Sequence, residues 1–114
     1  MFLPKQRLPL SELECSNRLV IEGNLAELED LRYTPAGIAR IGLKIHHLST
    51  RQEAGTSRQV ACEIPVLGFG DLALQASKLR QGQRVTVEGF IAQRSLNNRQ
   101  LVLHITNIRS NEGA

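Results

Sequence analysis

Three histidines and two cysteines are the residues in this chain with the chemistry to bind a metal or attack a substrate. Their spacing argues against both. His46 and His47 are neighbours, and neighbours in an extended segment point to opposite faces, so one ion does not reach both easily. His104, Cys62 and Cys15 complete no C-x-x-C or H-x-x-x-H pattern. Cys62 lies in an alternating apolar run and is expected to face a core as a small hydrophobe, away from any activating base. "GFGDLA" has two glycines but not the third of a dinucleotide fingerprint, and no P-loop occurs. No catalytic residue, metal or cofactor is assigned.

The other chemistry on offer is cationic. Net charge is only +3, but it is unevenly spread. Residues 11–30 set Arg18 alone against Glu12, Glu14, Glu22, Glu27, Glu29 and Asp30. Residues 31–60 set Arg32, Arg40, Lys44, Arg51 and Arg58 against Glu53. Residues 78–109 set Lys78, Arg80, Arg84, Arg94, Arg99 and Arg109 against Glu88. Such charges keep any small domain soluble. Several of them fall in or beside the expected loops, which adds nucleic acid as a partner class.

These residues need a scaffold. At 114 residues and 41% hydrophobic the chain is expected to form one domain. With no Trp and few aromatics, its core must be aliphatic. No apolar run is long enough to span a membrane. "MFLPKQRLPLSELECS" lacks a signal-peptide core and reads as a flexible tail over residues 1–16. Two cysteines make no disulfide framework, so a reducing cytoplasm is the simplest setting.

A folded domain is expected over 17–110, with a short tail at 111–114. Leu19, Ile21, Gly23 and Leu25 share one face of a first strand by the period-2 rule. "TPAG" is a turn with Gly37 at positive φ. Ile41, Leu43, Ile45 and His47 face one way on a second strand, and Arg40, Lys44 and His46 the other. "TRQEAGTS" reads as a polar loop. Val60, Cys62, Ile64 and Val66 are expected inward on a third strand. "FGDLALQASKL" is the one helix candidate, capped by Asp71, with Leu72, Leu74, Ala76 and Leu79 on its apolar face. Val85, Val87, Gly89 and Ile91 line a fourth strand. After the hairpin "SLNN", Leu101, Leu103 and Ile105 line a fifth and alternate with Val102 and His104. The order β-β-β-α-β-β is that of an all-β, five-stranded OB-fold barrel with one short helix. Gly23 and Gly89 stand mid-strand on the core face. A strand tolerates that where it bends sharply or another backbone comes close, as in a small closed barrel.

"NRLVIEGNL" and "YTPAGI" resemble the entry of bacterial single-stranded-DNA-binding proteins. "HHLSTRQEAGTSRQVACEIPV", "GQRVTVEGFIAQRS" and "LVLHITNI" resemble, in order and spacing, primosomal replication protein N, the PriB family. The resemblance covers roughly residues 17–110 and leaves the first sixteen outside it. It implies a bacterial homodimeric OB fold without catalytic activity that binds single-stranded DNA. It also implies work in replication restart beside the primosomal helicase and other primosome proteins. A generic single-strand coating protein is expected to carry a longer acidic or Gly-rich tail than "RSNEGA". The chain departs from its relatives at several points. Ala61 stands where they carry an outward aromatic, Thr56 and Ser57 where another can occur, and Leu48 at a basic position. The last hairpin is shorter. Stacking is worth ~1–3 kcal/mol per base, so this member is expected to lean more on electrostatics and on protein partners. A protein adaptor for the helicase with weak DNA binding is the alternative.

An OB fold binds strands across its sheet face between its hairpin loops. The expected nucleic-acid contacts are therefore Arg32 and Tyr33 in the first loop and Arg40, Lys44 and His46 as an outward stripe. Arg51 and Arg58 flank the second loop, and Arg94 and Arg99 the last hairpin; by analogy with the family this last pair is the best supported. Tyr33 reads equally as a cover for the barrel end, and the stripe equally as a solvated edge. Phe90 points outward, as a stacking platform or, preferably, as part of a dimer interface.

Overall fold

β1 (Leu19–Leu28) enters the barrel on one partner and leaves it on another. Leu19 to Asn24 pair antiparallel with β5 (Arg84–Ser95), and Asn24 to Leu28 with β3 (Ala39–Glu53). Gly23 sits at the change. A Cβ there would collide with the His46 carbonyl, and one on Gly89 with the His104 carbonyl. Both glycines are thus required by an approaching backbone, as their place on the apolar face suggested. The computed structural model describes residues 14–111. Residues 1–13 of the expected N-terminal tail and 112–114 of the C-terminal one lie outside them.

Turn chemistry links the next elements. β2 (Arg32–Tyr33) is a two-residue strand beside the start of β3 that the sequence pattern did not announce. Gly37, at φ 83°, closes the turn between them with its N–H donated to the Thr34 carbonyl. β3 and β4 (Thr56–Phe69) then pair without interruption from Arg40–Phe69 to Glu53–Thr56. The expected loop "TRQEAGTS" is instead the end of this ribbon. Ala54 and Gly55 turn it at φ 52° and 80°, the positive values that two-residue hairpins need. Both faces of the ribbon are polar and exposed there, so alternation vanishes although pairing persists.

α1 (Asp71–Ala76) follows β4. Asp71 does not cap it. Gly70, at φ 65°, occupies the cap position, and no side chain bonds the first turn. Ala73 and Ala76 are the residues it buries; Leu72 and Leu79 are half-buried, and Leu74, expected inward, is exposed. β5 and β6 (Asn98–Ser110) form the last hairpin through the two-residue turn Leu96–Asn97. Five strands close in the order β1-β5-β6-β4-β3 and back to β1, as expected of an OB-type barrel. The seam is a short parallel pairing of Val66 with Leu103 and Leu67 with His104. Leu25, Ile41, Ile45, Val66, Val85, Val87 and Leu103 fill the aliphatic core, each at 1% exposure or less.

Both long hairpins run past the barrel, and this accounts for three corrections. Cys62, expected in the core, is exposed on the outer half of β4. Leu101, expected inward, is 60% exposed. His47 is half-buried at the rim, hydrogen-bonded to the Glu22 carbonyl at 2.7 Å and the Ser49 hydroxyl at 2.8 Å. Each keeps the phase of the alternation but lies beyond the atoms that would cover it. Val102 shows the reverse: on the outer face, it is fully buried, and neither it nor nearly buried Leu67 belongs to the barrel's core cluster.

Candidate nucleic-acid interface

The ladder registers sort the expected basic residues onto two faces. Arg40, Lys44 and His46 point outward from β3, as their phase required. Lys44 reaches Glu27 at 3.4 Å, and His46 lies 4.0 Å from Glu63. Lys44 also lines a cleft of about 260 Å³ with Arg94, Glu27 and Glu29. Arg94 donates to Gln100 at 2.9 Å. The stripe and the last hairpin thus converge there, but over two carboxylates.

Arg51 shares the other phase with His47 and Ser49. It lines a concavity of about 570 Å³ between the outer ribbon and β1, joined by Arg84 and Arg109. Glu22 is the one acid in that lining, and it pairs with Arg84 at 3.1 Å. Arg84 and Arg109 were missed as site residues. The sequence places them in a basic segment, but only the fold brings the ribbon across them.

Two cross-strand arginine pairs stand out. Arg32 is opposite Arg40, and Arg51 opposite Arg58. Like charges directly opposite destabilise a sheet. Glu53 relieves Arg58. Among the described residues Arg32, Arg40, Arg51 and Arg99 make no ion pair. A polyanion is the ligand that would turn this repulsion into attraction. Tyr33 is 61% exposed and stacks on no other ring among the described residues. Its side chain therefore does not serve as a buried cover for the barrel end. Exposure of Cys62 removes burial as an argument against thiol chemistry. Among the described residues, however, no three His, Cys, Asp or Glu side chains gather as a metal site would need.

A family model described as "Another single-strand binding protein family" matches residues 17–107. Replication restart protein PriB of Nitrosomonas europaea is 34% identical over 93 residues, covering 82% of this chain and 86% of the relative. The chain belongs to the PriB family. PriB of Photorhabdus laumondii subsp. laumondii is 38% identical over 96 residues, covering 82% of this chain and 91% of the relative. The structure of PriB from Ralstonia solanacearum superposes with a TM-score of 0.78 at 32% identity, covering 85% of this chain and 99% of that one. The single-strand binding family match starts at Asn17, where the barrel does. Asn17 bonds both main-chain groups of Ile91, at 2.8 and 2.9 Å, and Arg18 pairs with Glu88 at 2.6 Å. The PriB and single-strand binding families are non-enzymatic. Two departures from PriB relatives noted in the sequence prove to be one place, because Leu48 and Ala61 are a cross-strand pair on the ribbon. No helix of the described residues is long and apolar enough to cross a membrane.

Proposed function

We propose that this chain binds single-stranded DNA and acts, as a homodimer, in replication restart, where it holds and stimulates the primosomal helicase on DNA. The observation that carries the reading is the set of unpaired arginines, two of them directly opposed across strands, on a barrel of the PriB family. Phosphate contacts supply affinity without sequence preference, which suits a protein that must load wherever a fork has stalled. An unpaired edge supports the dimer. Ahead of Asn24, β1 has β5 on one side and no strand on the other among the described residues. Such an edge is a template for another strand, and the second copy of β1 is the simplest supplier.

Fluorescence anisotropy with labelled dT oligomers, beside a duplex control, tests the reading. We expect preference for the single strand and a log–log salt slope of roughly −0.7 for each phosphate neutralised. Arg51→Ala and Arg99→Ala each lower that slope. Weak binding with no preference for single strands would instead favour a helicase adaptor. The exposed Leu48–Ala61 pair, 56% exposed at Leu48, supports that second reading, and helicase stimulation by a Leu48→Glu variant separates the two.

A further inference from the structure

A second row crosses the barrel's outer face, away from Ala61. Arg32 on β2 is opposite Arg40 on β3, and Arg40 is opposite Phe69 on β4. Across the seam comes His104 on β6, which is opposite Phe90 on β5. The three rings stand parallel. His104 lies 5.8 Å from Phe69 with planes 14° apart, and 5.0 Å from Phe90 with planes 5° apart. Phe69 is 38% exposed and Phe90 41%. With strands about 4.8 Å apart, five of them carry the row over about 19 Å.

We propose that this row is a track for single-stranded DNA, in which the Phe69–His104–Phe90 stack receives bases and Arg32 and Arg40 receive the adjoining phosphates. The proposal rests on the single-stranded-DNA reading above and names a site for it. Composition argues for this occupant. Exposed rings beside unpaired cations are what sequence-tolerant single-strand binding uses, since every base has a π-face and every nucleotide a phosphate. Neither arginine has a carboxylate partner among the described residues. A purely apolar partner would leave them unused. The row also supplies rings in a chain whose third predicted strand carries Ala61 instead of an aromatic, so stacking has moved across the sheet instead of being lost.

The test compares a dT oligomer with an abasic oligomer of equal length, by anisotropy, for the full chain and its variants. We expect the unmodified protein to prefer dT. Phe69→Leu and Phe90→Leu keep apolar bulk but lose the ring, and each should weaken dT binding about fivefold or more while leaving abasic binding unchanged. Phe69→Tyr and Phe90→Tyr keep the ring and should retain dT affinity, which separates ring loss from misfolding. The double variant Arg32→Ala, Arg40→Ala replaces one exposed and one half-buried side chain, and should weaken both oligomers and flatten the salt slope. Unchanged dT binding by folded Leu variants would overturn the track and leave the broader reading standing. A protein that binds no single strand at all would overturn both. Leu variants that keep DNA affinity but change sedimentation would assign the face to contact between copies, and also overturn the track.

Discussion

At the scale of single residues, Arg18 and Glu88 anchor the start of the barrel. The Arg18 hydrogen bond holds the Glu88 carboxyl below the ordinary carboxylate range; the charges of Arg18 and Arg109 act the same way, and burial opposes them. Arg18 is correspondingly raised. A carboxyl lowered by folding stabilises the folded state once ionised, so its contribution is present above the ordinary range and is lost as pH falls through the lowered value. Titration of the Glu88 carboxyl carbon by NMR should show it ionising below the ordinary glutamate range, and Arg18→Ala should bring it back up. Glycines make a sharper contrast. Gly89→Ala drives a methyl into the His104 backbone and should cost about 3 kcal/mol or more. Gly37→Ala meets nothing within 4 Å and should cost about 1 kcal/mol for its positive φ alone. Chemical denaturation of the two variants measures the difference. Gly89 was legible in the sequence because it breaks an apolar face. Cys62 was not, because alternation gives the phase of a side chain and says nothing about whether a neighbour exists to bury it.

Elements were legible where local chemistry fixed them. The turn at Gly37, the helix after β4 and the last hairpin all carry glycine, small-residue or apolar-spacing signals that act over a few positions. The outer ribbon was not legible, since its turn places an alanine where glycine or asparagine is the usual choice. Ala54 at φ 52° carries the penalty of a left-handed backbone. Ala54→Asn should therefore stabilise the fold by about 0.5–1 kcal/mol, read as a higher urea midpoint with unchanged slope. The two faces of β3 also divide the candidate site. Phase alone separated Arg40, Lys44 and His46 from His47, but the meeting of Arg51 with Arg84 and Arg109 depends on how far the ribbon bends over β1.

For the molecule as a whole, fold class followed from element order, and family from a resemblance over roughly residues 17–110 that the PriB relatives bear out. What the order of elements does not convey is how unequal the closures are. β1 joins β5 over Leu19 to Asn24, whereas β4 meets β6 only at Val66–Leu103 and Leu67–His104. The two hairpins, β3–β4 and β5–β6, are local and need no distant partner to start. The seam joins one hairpin to the other and must wait for both, paying loop-closure entropy for few bonds. Its side chains are therefore expected to contribute little to the folding transition state. Val66→Ala should leave the refolding rate nearly unchanged and quicken unfolding, seen as movement of one arm of the chevron. The narrow seam then acts as a clasp: fastened last, it sets how long the closed barrel lasts more than how quickly it forms.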